Sequence, residues 1–279
     1  MKPRNNGKPD GDDGQPRLAM LIDADNAQPS VIEGLLAEVA KFGVASVKRI
    51  YGDFTSTRMT QWKQALLKHS INPVQQFAYT SGKNATDSSL IIDAMDLMYT
   101  GRFDGMCLVS SDSDFTRLAQ RMREEGLTVY GFGERKTPDA FVHACDKFIY
   151  TEVLRAEVEP TVAVKPPAKA VARAQIAKPT GTAAPATRSL PVATTKPPVL
   201  PLPLDLLRRA IEEASDEQGW AHLGAVGTYL TKIRPDFDPR LNGHRKLSDL
   251  LRHHPRHFAI EERGGTGSGS RTIYVRALD

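Results

Sequence analysis

The sequence predicts an α/β fold, a parallel β-sheet with helices on both faces, followed by a second, smaller domain. Two observations carry this prediction. Between residues 17 and about 155, short apolar runs alternate with amphipathic stretches of helical length, the pattern of parallel strands joined by right-handed helical crossovers. Two of the runs, at residues 18–22 and 106–109, are continuously apolar, as is typical of central strands that are buried on both faces.

Six strands are predicted from the apolar runs and five helices from the stretches between them. The strands lie at residues 18–23, 44–51, 73–78, 106–110, 127–132 and 147–150. The helices lie at residues 29–42, 57–69, 86–99, 115–125 and 137–144. Pro29 stands in the first turn of the first helix, where no hydrogen bond is lost, and Gly43 ends that helix. The third helix has one apolar stripe, formed by Leu90, Ile91, Ala94, Leu97 and Met98.

Two segments lack the pattern of a packed domain. Residues 1–16 are polar and rich in Gly and Asp, and we expect them to be disordered. Residues 156–200 consist mainly of Ala, Pro, Val and Thr with scattered Lys and Arg. Such a segment buries too little apolar area to offset its ordering entropy, so we expect a flexible linker whose basic residues are solvated or touch a polyanion. It would separate a domain at residues 17–155 from one at 201–279.

The second domain is predicted to contain three helices and two strands. The helices lie at residues 204–214, 223–233 and 241–251, and the strands at 258–260 and 272–275. A Gly-rich loop at residues 264–270 joins the strands. Helices followed by a two-stranded wing resemble a winged helix-turn-helix domain.

The composition excludes several classes of protein. Apolar residues make up 40% of the chain and charged residues 25%, and no apolar stretch reaches the roughly 18–20 residues of a membrane span. Because residues 1–16 lack the apolar segment of a signal peptide, we expect a cytoplasmic protein. Cys107 and Cys145 lie in apolar surroundings, which predicts buried, reduced thiols, and no Cys/His spacing indicates zinc. The net charge of +4 favours polyanionic partners slightly.

Three acidic clusters follow or flank apolar runs. Asp23 and Asp25 end the first predicted strand, Asp87 and Asp93 lie on the third helix, and Asp112 and Asp114 follow the fourth strand. Ligands of open parallel sheets bind beyond the carboxyl ends of the strands, so we expect the strand-end carboxylates to face one crevice. Carboxylate oxygens suit Mg²⁺ or Mn²⁺. Such ions activate water against a phosphodiester, which predicts cleavage of an RNA or DNA backbone.

Other interpretations of the same acids stay open. Aspartate after a strand is a common helix N-cap, so Asp87 and Asp112 could each only cap the helix that follows. Asn26 could hold a water or a substrate oxygen, or cap the helix at Pro29. Asp23 and Asp25 also resemble the aspartate pair of haloacid-dehalogenase phosphatases, although the residues that follow, Asn26 and Ala27, depart from that motif.

The three clusters together resemble the motifs of the NYN domain family, PIN-like nucleases related to the LabA and limkain proteins. The matching stretches are Ile22-Asp-Ala-Asp-Asn26, Gly82-Lys-Asn-Ala-Thr-Asp87 with Asp93 beyond it, and Ser110-Ser-Asp-Ser-Asp-Phe115. They span about residues 17–150 in the family's order and spacing. In relatives the second motif commonly reads Lys-Gly-Val-Asp, so the loop differs here while the carboxylate is retained.

The NYN resemblance implies a PIN-like Rossmannoid fold and a metal-dependent ribonuclease. By position it implies four metal-binding and catalytic aspartates, which are Asp23, Asp87, Asp112 and Asp114. It makes Asn26 the polar partner of the first of these. Lys83, in the second motif, is a candidate contact to the scissile phosphate.

The second domain resembles the OST-HTH or LOTUS domain, a winged-helix module that is associated with RNA binding and occurs fused to NYN domains. The resemblance is carried by Trp220 with His222 and Leu223, the stretch from Phe237 to Leu251, Phe258 and the final predicted strand. Gly243 occupies the position of the family's turn glycine, and Arg245 and Lys246 follow it. A basic helix start can meet phosphates, although both side chains could equally form a solvated face.

The sequence therefore predicts a ribonuclease that uses Mg²⁺ or Mn²⁺ and captures RNA through its C-terminal domain. The alternative is a non-catalytic RNA-binding adaptor whose PIN-like domain no longer cuts. The C-terminal domain could also bind protein partners.

Overall fold

The computed structural model describes residues 14–77, 85–154, 202–264 and 271–278. The N-terminal domain contains one six-stranded sheet in which all neighbouring strands are parallel. The strands are β1 (Arg17–Asp23), β2 (Val44–Gly52), β3 (Asn72–Gln75), β4 (Gly105–Val109), β5 (Thr128–Gly133) and β6 (Lys147–Tyr150). The predicted α/β class and all six predicted strands are confirmed, although β3 ends at Gln75, earlier than predicted.

Five helices cover the two faces of this sheet, as predicted. They are α1 (Ile32–Val39), α2 (Trp62–His69), α3 (Ala85–Tyr99), α4 (Thr116–Glu124) and α5 (Asp139–Ala144). Successive residues of a strand point to opposite faces. Leu18, Met20 and Ile22 of β1 therefore pack in the core shared with α1 and α2, whereas Ala19 and Leu21 pack in the core shared with α3, α4 and α5.

Three of the predicted helices begin with a short 3₁₀ segment instead of an α-helical turn. These segments are Pro29–Val31, Thr57–Gln61 and Ser113–Phe115. Tighter turns of this kind are frequent at helix N-termini.

The strand order places a topological switch point at the centre of the sheet. The order is β3-β2-β1-β4-β5-β6, so the chain runs outward from β1 on one side and outward from β4 on the other. At such a point the loops after two adjacent strands leave in opposite directions and open a crevice at the carboxyl edge. Asp23 ends β1, and Asp112 follows β4 after two serines, so both residues border this crevice.

The C-terminal domain combines three helices with a small antiparallel sheet. The helices are α6 (Leu204–Glu213), α7 (Leu223–Ile233) and α8 (Leu247–Arg252), and the strands are β7 (Ala221–His222), β8 (Phe258–Arg263) and β9 (Thr272–Ala277). The strand order is β7-β9-β8. Its core includes Leu207, Ile211, Leu230, Phe258 and Val275. The predicted winged-helix architecture is thus confirmed, with β7 as an added strand.

The predicted helix at residues 241–251 is wrong. A 3₁₀ segment (Pro239–Asn242) ends at Gly243, whose φ of 80° lies in the left-handed region, and α8 starts only at Leu247. Glycine adopts this conformation without the steric cost that a Cβ would bring. The turn glycine that the family resemblance implied therefore separates the 3₁₀ segment from α8.

The described parts of the two domains belong to one compact unit. The backbone N–H of Phe148, on the edge strand β6, donates to the carbonyl oxygen of Pro235 at 2.9 Å. Arg240 donates to Glu38 through Nη1 at 2.9 Å. Burial raises the pKa of Glu38, but hydrogen bonds from Arg240 and Lys41 outweigh it and hold that pKa below its usual range. The C-terminal domain thereby covers part of an open sheet edge that would otherwise present unpaired backbone groups.

Several sequence-based expectations concern other parts of the chain. Cys107 and Cys145 are buried and free, as predicted, and burial raises the pKa of both thiols. None of the described helices combines the length and the apolar character that a membrane span requires. The predicted disordered N-terminus, apart from residues 14–16, and the whole of the predicted linker lie outside the described residues, as does Lys83.

Candidate functional site

Asp23 lies fully buried at the carboxyl end of β1. Its Oδ2 accepts hydrogen bonds from Asn26 Nδ2 at 2.7 Å and from Ser110 Oγ at 2.8 Å, and its Oδ1 accepts from the backbone N–H of Asp25 at 3.0 Å. Burial raises the pKa of Asp23, while the hydrogen bonds from Asn26 and Ser110 oppose that rise. Both oxygens thus have protein donors, and the carboxylate is held in one orientation.

Asp112 and Asp114 lie just beyond β4, on the turn that leads into α4. The backbone N–H of Asp112 donates to Ser110 Oγ at 3.1 Å, and Asp112 Oδ1 accepts from the N–H of Asp114 at 2.9 Å. Asp112 is therefore a helix cap, as the alternative interpretation proposed. A carboxylate has a second oxygen, so capping through Oδ1 fixes the side chain and still leaves Oδ2 for a ligand.

Asp87 lies in the first turn of α3 and is partly buried. One carboxylate oxygen each from Asp87, Asp112 and Asp114 lies within 4.8 Å of the others. Oxygens that share one cation at about 2.0–2.6 Å are at most about 5 Å apart. The spacing and the all-carboxylate donor set therefore fit one Mg²⁺ or Mn²⁺ ion. Within the described residues this is the only group of three or more potential ligands with such spacing.

The electrostatics of this cluster favour a cation. Burial, and after it the negative charges of Asp23, Asp112, Asp114 and Asp25, together raise the pKa of Asp87 to about 6. Each carboxylate that ionises makes ionisation of the next less favourable. A divalent cation would reverse this effect, because it would replace mutual repulsion with attraction.

The predicted aspartates lie at one edge of the sheet, but they do not all belong to one cluster. Asp87, Asp112 and Asp114 form one cluster, whereas both oxygens of the buried Asp23 accept hydrogen bonds from protein donors. Asp25 is exposed and contributes its backbone N–H to Asp23. Asn26 donates to Asp23 and does not cap the following helix, whose N-cap residue is Gln28.

Asp93 serves a different purpose from the clustered acids. It accepts hydrogen bonds from the guanidinium of Arg49 and the hydroxyl of Tyr51, both on β2. The pair of bonds ties the middle of α3 to the sheet, and Asp87 lies on the same helix. Tyr51 is buried in the core, and its hydroxyl has this polar role as well.

Ser110 is the residue of the site that sequence reasoning did not single out. Its hydroxyl donates to Asp23 and accepts from the N–H of Asp112, so it connects the ends of β1 and β4. The neighbouring Ser111 accepts from the N–H of Glu134 at 2.8 Å. In the sequence Ser110 is marked only as the first residue of the third NYN-like stretch and as one of two small hydroxyl residues directly before Asp112.

The predicted RNA contacts of the C-terminal domain lie on its surface. Arg245 and Lys246 are exposed, directly before α8, and Lys246 is the N-cap residue of that helix. Neither forms an ion pair with an acidic group in the described part of the chain. Both charges are therefore accessible to an anionic partner.

Fold and site together define the class of this protein, a PIN-like α/β domain joined to a small winged-helix domain. The model of the NYN domain family matches residues 17–154, and the model of the OST-HTH/LOTUS domain matches residues 199–269. The chain belongs to the NYN domain family and carries an OST-HTH/LOTUS domain after the NYN domain. This combination supports a nuclease or RNA-binding role.

Two solved structures are similar to parts of the chain. A solution NMR structure of an uncharacterized protein from Nitrosomonas europaea is 40% identical, covers 33% of this chain and 89% of its own, and has a TM-score of 0.28. A crystal structure of a protein of unknown function from Vibrio parahaemolyticus is 19% identical, covers 50% of this chain and 94% of its own, and has a TM-score of 0.42. No curated protein matches the chain.

Proposed function

We propose that this protein is a ribonuclease that hydrolyses RNA phosphodiester bonds with Mg²⁺ or Mn²⁺. One observation carries the proposal: carboxylate oxygens of Asp87, Asp112 and Asp114 lie within 4.8 Å of one another at the switch point of a parallel sheet. The membership in the NYN domain family supports it, because that domain is of the PIN-like nuclease type. The RNA-binding character of the OST-HTH/LOTUS domain makes RNA the expected polymer.

Asp87, Asp112 and Asp114 would hold the cation, and Asp23 would support them from behind. When bound, the cation lowers the pKa of a water and stabilises the leaving oxygen of the phosphodiester. The residues of the chain contribute by holding these carboxylates in place. Asp112 is fixed by its cap bond to the N–H of Asp114, and Asp23 is fixed by its three donors. The aspartates at this edge of the sheet therefore need little reorganisation to receive a phosphate.

The C-terminal domain would capture the substrate. Arg245 and Lys246 are exposed cations without described acidic partners, and phosphate contacts by such residues give RNA affinity that falls with salt. Lys83, four residues before Asp87 in the sequence, remains a candidate phosphate contact.

The experiment is cleavage of a labelled, unstructured RNA by the full chain with Mg²⁺, with Mn²⁺ and with EDTA. The proposal expects cleavage with either metal and none with EDTA. Binding without cleavage under all three conditions would instead identify an RNA-binding adaptor with an inactive PIN-like domain. Cleavage that persists in EDTA would contradict the metal site.

A further inference from the structure

The solvent side of the small sheet carries a cluster of aromatic rings and arginines. Its members are Trp220, His222, Arg263, Tyr274 and Arg276, and we call it the aromatic–arginine face. The guanidinium carbon of Arg263 lies 4.9 Å from the Trp220 ring centroid and 4.6 Å from that of Tyr274. The guanidinium carbon of Arg276 lies 4.9 Å from the Trp220 ring centroid. The rings of His222 and Tyr274 meet edge to face at 5.8 Å.

Strand periodicity explains why these residues share one side of the sheet. Val275 of β9 is buried in the domain core, so its neighbours Tyr274 and Arg276 point to the opposite face. Tyr274 is paired with His222 of β7 and with Glu261 of β8. Arg263 lies two residues beyond Glu261 and therefore points to the same side.

The aromatic–arginine face is not part of the hydrophobic core of the C-terminal domain. The core consists of apolar residues from α6, α7, α8 and the inner side of the sheet, and it contains none of the five members. His222 and Arg276 are exposed, and the other three are partly exposed. The packing of the domain therefore does not account for a tryptophan, a tyrosine and two arginines gathered here.

The face has a net positive charge. Arg263 pairs with Glu261, between Nη2 and Oε2 at 3.0 Å, whereas Arg276 forms no ion pair with a carboxylate in the described ranges. A guanidinium held over aromatic rings keeps its charge and loses little conformational freedom when it binds a ligand. Rings and guanidiniums are also planar surfaces on which any nucleobase can stack.

We propose that the aromatic–arginine face binds the unpaired bases of single-stranded RNA, with Arg276 contacting the phosphate backbone. The inference rests on the proposed function because it takes RNA as the bound polymer. It adds which surface of the C-terminal domain binds the RNA and that the bound RNA is single-stranded. A duplex hides its bases in the stack, so this face should bind it less well than a single strand. The face lies on the sheet, separate from Arg245 and Lys246 before α8.

The tryptophans of the chain make this proposal directly observable. The sequence contains two: Trp62 is buried in the N-terminal core with 1% exposure, and Trp220 is partly exposed. Stacking of a base on this face should quench the fluorescence of Trp220 and leave that of Trp62 unchanged. Trp220→Phe supplies the signal of Trp62 alone for subtraction.

The experiment titrates the full chain with an unstructured RNA oligonucleotide, and with its duplex, in EDTA so that the RNA stays intact. We expect quenching by the single strand and about tenfold weaker single-strand binding for Tyr274→Ala and for Arg276→Ala. Arg209→Ala, an exposed arginine of α6, is the matched control and should bind as wild type does. Arg276→Glu, at an exposed position, should weaken binding further without loss of folding, which circular dichroism checks.

The proposal is overturned if the single strand does not quench Trp220, or if both Arg276 variants bind as tightly as Arg209→Ala. Its failure is distinct from failure of the proposed function. Metal-dependent cleavage together with unaltered binding by the Arg276 variants would refute only the aromatic–arginine face. Quenching together with weakened binding by these variants, but no cleavage with any metal, would support the face and refute the nuclease.

Discussion

Ser110 Oγ donates a hydrogen bond of 2.8 Å to the buried Oδ2 of Asp23. The bond joins the loop after β4 to the end of β1, the two central strands of the sheet. Because the same hydroxyl accepts from the N–H of Asp112, one serine fixes the positions of two aspartates on opposite sides of the switch point. Removal of the Ser110 hydroxyl should therefore loosen the positions of Asp23 and Asp112 together.

Ser110→Ala should lower the rate of RNA cleavage about tenfold, because the supporting bonds of the metal-binding edge are lost. It should also cost about 1–3 kcal/mol of stability, since Asp23 is buried and would lose a donor. Ser111→Ala is the matched control: it removes a neighbouring buried hydroxyl that bonds Glu134 instead. This control should lose stability but keep the wild-type cleavage rate. A Ser110→Ala variant that cleaves as fast as wild type would show that the bond does not support the site.

Asp87→Asn should raise the stability of the metal-free protein at pH 7.5. The folded-state pKa of Asp87 is raised from 3.8 to about 6, so its ionised form costs stability. That cost is absent below about pH 4, grows as the pH rises toward 6, and is complete above it. With a discount for solvent screening of a partly exposed group, the gain is about 1 kcal/mol.

Thermal melts in EDTA at several pH values measure this effect. The melting temperature of Asp87→Asn should exceed that of wild type by a few degrees at pH 7.5 and match it near pH 4. Asp96→Asn, an exposed position on the same helix, should match wild type throughout. A difference that is constant across pH would mean that charge repulsion is not its cause.

Mn²⁺ should stabilise the wild-type protein against heat. A ligand that binds only the folded state adds about 2.7 kcal/mol at about 100 times its Kd. Asp114→Asn lacks one of the three clustered carboxylates and should gain clearly less at the same concentration of Mn²⁺. Differential scanning calorimetry checks this, and an equal gain for both proteins would place the ion elsewhere.

Asp93 and Tyr51 should be energetically coupled. Asp93→Ala leaves the buried hydroxyl of Tyr51 without its acceptor, at a cost of about 1–3 kcal/mol, whereas Tyr51→Phe removes both the donor and the need for an acceptor. A double-mutant cycle by urea denaturation should therefore give a coupling energy of about 1 kcal/mol. Additive effects would contradict the bond that ties α3 to β2.

The central strands β1 and β4 were predictable because burial on both faces leaves a continuous apolar run. Five of the six predicted strands agree with the structure to within a residue or two. Their order in the sheet was not predictable from periodicity. Neighbouring strands are chosen by tertiary packing, so the adjacency of β1 and β4 appears only in the structure. The short strand β7, with two residues, carries no pattern at all.

Two shortcomings of the sequence-based predictions have different causes, one local and one long-range. The predicted helix at residues 241–251 joined Leu241 to the helically spaced Leu247, Leu250 and Leu251 across the left-handed turn at Gly243. Ser110 and Asp93 are polar residues whose partners lie 87 and 42–44 positions away in the chain. Such contacts are not encoded in local spacing, whereas the aspartates that end strands could be found from the strands themselves.

The central claim is that carboxylates at the switch point hold the cation for RNA cleavage, and Asp112→Asn tests it most directly. The amide keeps an oxygen that can cap the N–H of Asp114 but removes the charge. With saturating Mn²⁺ and labelled single-stranded RNA, we predict that this variant binds RNA as wild type does and does not cleave it, while Asp96→Asn cleaves normally. Cleavage by Asp112→Asn at the wild-type rate would contradict the proposed site.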